Sequence, residues 1–117
     1  MPHVGPFEID EKTYFTLHHA AQVIGPAISD GSLHRWASRG HTPWDLKLDI
    51  KRQPVLRHGT RNPRVHRETR LVISEESTLM LKRLLNECRP NPQRPMRLTN
   101  DEIAALRAAE RRLRLNR

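Results

Sequence analysis

The chain has a single cysteine, Cys88, among 117 residues. One thiol excludes an intramolecular disulfide and any zinc site built from several cysteines, and it fits a reducing compartment. Aromatic residues make up 4% of the chain, which disfavours the stacking platforms that hold single-stranded nucleic acid. No apolar run approaches the roughly 18 residues of a membrane span, and Glu8, Asp10 and Glu11 lie where a secretory signal would be basic and then apolar. A soluble, cytoplasmic protein is therefore expected. The chain also lacks a glycine-rich phosphate loop and a serine or cysteine nucleophile motif. Seven histidines, at positions 3, 18, 19, 34, 41, 58 and 66, form no ligand set with a third donor at a recognisable spacing. The carboxylates fall near the N-terminus and in first helical turns, where capping accounts for them. No catalytic residue, cofactor, metal or small-molecule ligand is expected, and the length leaves room for one small domain with appendages.

What the sequence does have is positive charge. Twenty-one Lys and Arg against 13 Asp and Glu give +8, with a pI near 11.0, which points to a polyanionic partner. The charge is not spread evenly. Residues 1–50 carry a slight acidic excess, whereas residues 51–70 hold Lys51, Arg52, Arg57, Arg61, Arg64, Arg67 and Arg70 against Glu68 alone. That block also contains Pro54, Gly59 and Pro63 and has no amphipathic period, so it reads as a long loop between strands. It is either a nucleic-acid contact or a merely solvated basic loop.

Upstream of this block, Leu17, Ala20, Ala21 and Ile24 recur at i, i+3, i+4 and i+7, the stripe of a short helix capped by Thr16 and stopped by Gly25-Pro26. A second helix is predicted from Ser29 as its N-cap to Gly40 as its terminator. Leu33, Trp36 and Ala37 form its buried stripe, and Ser32, His34, Arg35, Ser38 and Arg39 its polar face. Short donors and guanidinium forks suit phosphates and guanine edges. The pair has the spacing of a helix-turn-helix, and equally that of an ordinary helical hairpin.

Leu46, Leu48 and Ile50 alternate with Lys47 and Asp49, and Leu71 and Ile73 flank Val72, so two short strands should bracket the basic block. A hairpin with arginines at its tip, directly after a helix pair, is the layout of a winged helix-turn-helix. A third helix is predicted over Glu75–Asn86, capped by Ser74, with Leu79, Met80, Leu81, Leu84 and Leu85 as one apolar face. Pro90, Pro92 and Pro95 then mark an extended linker. A last helix starts at a capping box of Thr99 and Glu102. Its thin stripe is Ile103, Leu106, Ala109 and Leu113, and Arg107, Arg111, Arg112, Arg114 and Arg117 load its C-terminal half. Such a helix docks on its own core or on a neighbouring protomer, touches phosphate, or frays in solvent.

The segment Ala20-Ala21-Gln22-Val23-Ile24-Gly25, the stretch from Ile28 to Gly40 with Leu33-His34-Arg35-Trp36-Ala37-Ser38-Arg39-Gly40, and the segment Arg70-Leu71-Val72-Ile73-Ser74-Glu75-Glu76 resemble the excisionases, or recombination directionality factors, of phages and integrative conjugative elements. More distantly they resemble the DNA-binding domain of MerR-type regulators. The resemblance runs from Phe15 to Leu85, about 60% of the chain. It implies a small winged domain that bends double-stranded DNA, binds adjacent sites cooperatively and steers a site-specific integrase toward excision. By position the family's recognition helix falls on Ser32, His34, Arg35, Ser38 and Arg39, and its wing on the segment from Lys51 to Arg67. The seventeen or so residues between the strands exceed the family's usual short turn, and His41, Thr42, Pro43 and Trp44 are also additional to its simplest pattern.

The organisation expected is an α+β fold: an N-terminal arm (1–13), a winged helix-turn-helix (14–86) with a long hairpin wing, a Pro-rich linker (87–98) and a basic C-terminal helix (99–117). The DNA-contact set is the five recognition-helix residues with Lys51, Arg52, Arg57, Arg61, Arg64 and Arg67 of the wing. Arg107, Arg111, Arg112 and Arg114 are auxiliary phosphate or oligomer contacts. The alternatives to an excisionase-like factor are a small transcriptional regulator on the same fold and a module that binds an acidic protein.

Overall fold

Strand β1 (Phe7–Ile9) and strand β2 (Lys12–Thr16) form a hairpin in the region expected to be an arm. The computed structural model describes residues 6–58, 65–91 and 97–115, with backbone only at 55–58 and 65–68. The hairpin turns on Asp10 and Glu11, both at positive φ (50° and 67°), the two-residue geometry whose twist matches that of paired strands. Glycine ordinarily announces such a turn, and its absence here kept the hairpin out of the sequence pattern. Strand β2 continues into helix α1 (Leu17–Ile24), where Thr16 Oγ1 accepts the His19 N–H at 3.2 Å, as an N-cap should. Gly25 ends α1 at φ 99° with its N–H donating to the Ala21 carbonyl.

Helix α2 (Asp30–Arg39) follows, then strands β3 (Ile50–His58) and β4 (Val65–Ser74). The four strands make one antiparallel sheet in the order β1-β2-β4-β3. Two expectations are corrected here. The first strand does not begin at Leu46: Leu46 and Leu48 are buried, but in a tight loop in which Thr42 and Leu46 exchange two hydrogen bonds and only His41 and Lys47 form a bridge. Burial of every second side chain needs no ladder when a loop presses one side onto the core. The basic block, in turn, is largely not a loop, because β3 and β4 stay in register from Ile50↔Ile73 to His58↔Val65. Charged side chains on this ribbon hid its period of two, and Pro54 is tolerated because β3 is an edge strand.

Ser74 caps helix α3 (Glu75–Arg83), its Oγ accepting the Ser77 N–H at 3.1 Å. The chain then widens into a π-helical turn (Leu84–Cys88) rather than continuing as α-helix to Asn86. Leu81, Leu84 and Leu85 are wholly buried, whereas Leu79 is 49% exposed. Its helical neighbours Glu75, Glu76, Lys82 and Arg83 share that solvent face, so Leu79 does not belong to the apolar stripe.

The expected linker is anchored at its start. Glu87 and Cys88 lie in the π turn, and Arg89 is buried; residues 92–96 lie outside those described. Helix α4 (Asn100–Leu115) begins at the capping box, with Thr99 Oγ1 accepting the Glu102 N–H at 3.2 Å and Glu102 Oε1 accepting the Thr99 N–H at 3.4 Å. It docks on its own core through Leu106 and Ala109, with Ile103 and Leu113 partly covered. The core gathers Ile24, Leu33, Trp36, Trp44, Ile73, Leu81, Leu84, Leu85 and Leu106 from all four helices, the sheet and the loop after α2. Trp36 and Trp44 meet edge to face at 5.3 Å and 84°, a contact worth about 0.5–1.5 kcal/mol beyond the area it buries. Among the described residues no helix is long and apolar enough to cross a membrane.

Candidate nucleic-acid interface

Helix α2 owes its placement to local chemistry at both ends. Ser29 Oγ accepts the Ser32 N–H at 3.2 Å and fixes the first turn. At the other end Gly40 adopts the left-handed conformation (φ 83°, ψ 1°), and its N–H reaches the Trp36 and Ala37 carbonyls. Between these ends Leu33, Trp36 and Ala37 are buried, which leaves His34, Arg35, Ser38 and Arg39 exposed along one side. Near the turn between helices, His18 Nδ1 sits 2.7 Å from Asp30 Oδ2, linking the exposed starts of α1 and α2.

Ser32 departs from the expected set. It is 4% exposed, and its Oγ receives hydrogen bonds from Ser29 Oγ (3.0 Å) and Arg35 Nη2 (3.4 Å). Ser32 thus tethers the helix start and the Arg35 guanidinium from a buried position. The other four α2 residues are brought together on one face.

The C-terminal end of α2 meets the root of the β3–β4 ribbon around a surface hollow of about 250 Å³. Ser38, Arg39, Lys51 and Arg52 line it together with apolar atoms and Gly40, and among the described residues no acidic side chain does. Lys51 also reaches Asp10 Oδ2 at 3.9 Å. Arg57 and Arg67 lie on β3 and β4, opposite His66 and Leu56 in the register, but only their backbone is described. Arg61 and Arg64 lie outside the described residues.

The root of the ribbon is held by Asp49. Tyr14 Oη donates to Asp49 Oδ2 at 2.8 Å, the Asp49 N–H donates to Ser77 Oγ, and the Asp49 carbonyl accepts the Ser74 N–H. Burial foremost, then the Asp49 carboxylate, pushes the Tyr14 phenol up to about 12.

The four auxiliary arginines do not behave alike. Arg107 Nη2 pairs with Asp45 at 3.0 Å and Arg114 Nη2 with Glu110 at 2.7 Å, so both are engaged within the chain. Arg111 and Arg112 are exposed and have no ion pair among the described residues. Sequence reasoning passed over Lys47, an exposed cation in a second hollow beside Arg39 and His41. Its alternation with Leu46 and Leu48 already marked it as outward-facing. Among the described residues no three His, Cys, Asp or Glu side chains are grouped to hold a metal ion.

No protein-family model, curated protein or solved structure matches the chain.

Proposed function

We propose that the chain is a winged helix-turn-helix protein that binds double-stranded DNA, with α2 as the recognition helix and the β3–β4 ribbon as the wing. The observation that carries this reading is the junction at which Ser38 and Arg39 of α2 stand beside Lys51 and Arg52 of β3, in a hollow that no acidic side chain among the described residues lines. A helix is narrow enough to enter a major groove, and a two-stranded ribbon at its end lies along the adjoining backbone. His34, Arg35 and Ser38 then face base edges, while Lys51 and Arg52 neutralise phosphate. The resemblance of Ala20–Gly25, Leu33–Gly40 and Arg70–Glu76 to excisionases supports an architectural role, in which the protein bends DNA and directs an integrase toward excision.

Binding to duplex DNA is tested by following affinity against salt. Each phosphate neutralised contributes about −0.9 to the slope of log affinity against log salt. Alanine at Arg35 should change which sequences are preferred, whereas alanine at Arg52 should weaken all duplexes alike. A salt-independent affinity, or none, overturns the reading. Bending assayed on circularly permuted fragments, together with excision frequency in the presence of a site-specific integrase, separates an excision factor from a regulator that changes transcription alone.

A further inference from the structure

The basic face continues past the recognition helix. The hollow at the α2–β3 junction and the one beside Lys47 share Arg39, Gly40 and Ile50, so the two adjoin. Arg39 and Lys47 are exposed and have no ion pair among the described residues. Lys47 is held in place by its backbone alone, through the bridge to His41. Among the described residues the one carboxylate lining this second hollow is Asp45.

Asp45 is an anomaly on a surface meant for an anion. It is 74% exposed, stands at φ 69°, and its carboxylate is met by Arg107 of α4 at 3.0 Å. Arg107 comes from the far end of the sequence, on a helix seated by Leu106 and Ala109 in the core. The backbone that carries Arg107 is therefore placed by packing and not by the pair. An unmasked carboxylate beside Arg39 and Lys47 would repel phosphate, and a paired one is close to neutral.

We infer that the nucleic-acid surface extends from α2 across the loop after it, with Lys47 as a phosphate contact, and that Arg107 serves this surface by masking Asp45 and does not itself touch phosphate. The inference rests on the DNA-binding reading and adds to it a second strip of backbone contact and a role for the C-terminal helix. It also accounts for a cation of α4 being committed to an exposed acid, where an exposed pair adds little to stability.

The test uses the full chain and a pool of random-sequence DNA duplexes, since backbone contacts do not depend on sequence. Lys47→Ala should weaken all duplexes alike and lower the salt slope by about one. Arg107→Ala should weaken binding severalfold, and adding Asp45→Asn to it should return the affinity to that of the unsubstituted chain. Asparagine tolerates the left-handed conformation that position 45 requires, and it cannot restore the ion pair, so recovery reports charge masking and not repaired structure. Thermal melts of each variant confirm that it is folded. If Asp45→Asn fails to rescue a folded Arg107→Ala variant, the masking role is wrong; if Lys47→Ala leaves affinity and slope unchanged while Arg39→Ala lowers both, the strip is wrong and the DNA-binding reading stands. Absence of duplex binding by the unsubstituted chain overturns both.

Discussion

Arg89 and Glu102, thirteen residues apart, form an ion pair at 2.6 Å with side chains 0% and 3% exposed. The Arg89 guanidinium, donating through Nε–H, foremost holds the Glu102 carboxyl below its ordinary value of 4.5; burial opposes this, and the Thr99 backbone N–H adds to it. The pair fastens α4 to the turn that ends α3. Removing one partner strands the other charge in the interior, at a cost of about 3–5 kcal/mol. Glu102→Ala is expected to lower the urea midpoint sharply. A double replacement of both residues by apolar ones of similar size should recover much of the loss, and urea titrations of the single and double variants check this.

The same pair sets a pH dependence. A carboxyl whose pKa is depressed by folding stabilises the native state above its unfolded value and ceases to do so as pH falls through the folded one. Stability should therefore decline below about 4.5, the ordinary value for Glu102, and the decline should be shallower in Glu102→Gln. Urea unfolding repeated from neutral pH down through the acid range measures the difference. Equal slopes for the two proteins would show that Glu102 is not the group responsible.

Tyr14 gives the opposite sign at the other end of the pH scale. Its phenol is raised from 10.0 to about 12, chiefly by burial, so the native state favours the protonated form. Stability from this group is complete below the unfolded value and is lost between 10 and about 12. Because the chain has only one tyrosine, absorbance titration of the phenolate reads it directly. In Asp49→Asn the apparent pKa should fall but stay above 10.0, since burial, the first of the causes, remains. A return to the free value would mean that Asp49 alone produces the shift.

Which parts of this arrangement were legible depends on whether their cause is local. Thr16, Ser29, Ser74 and Thr99 all cap the helices expected of them, because a cap is a hydrogen bond to a residue three positions away. The β1–β2 hairpin was missed because its turn uses Asp10 and Glu11 in a conformation that glycine or asparagine normally signals. The extent of the β3–β4 pairing was missed because residues 51–70 carry charge at too many positions for one face to look apolar. At the candidate site, the helical period of α2 correctly separated His34, Arg35, Ser38 and Arg39 from Leu33, Trp36 and Ala37. Ser32 sits at the edge of the stripe, and only its bonds to Ser29 and Arg35 reveal that it is occupied. The pairing of Arg107 with Asp45 depends on how α4 docks, which no local pattern encodes.

Gly31 within α2 and Gly40 at its C-terminal cap should respond in opposite directions to alanine. Gly31 lies within the helix without a positive φ, and a Cβ there meets nothing within 4 Å. Gly31→Ala should stabilise by about 0.4–1 kcal/mol by narrowing the unfolded ensemble. Gly40 has equal space but φ 83°, so Gly40→Ala should cost about 1–2 kcal/mol in backbone strain. Melting temperatures of the two variants should move apart. Gly40→Ala should also weaken duplex binding under the DNA-binding reading, because this residue carries the chain from Arg39 toward the root of the ribbon.

Strand β3 is an edge of the sheet along its whole length, and an unpaired edge is a template for another copy of the chain. Two features guard it. Pro54, exposed and opposite Thr69, has no N–H to offer an incoming strand, and Lys51 and Arg52 place like charges along the same edge. Pro54→Val removes the first guard and supplies a residue well suited to a strand. Light scattering should then show concentration-dependent association absent from the unsubstituted chain. The effect should grow with added salt, which screens the remaining charges over a Debye length of about 10 Å at 0.1 M. Scattering identical to that of the unsubstituted chain at every salt concentration would mean that the proline does not protect this edge.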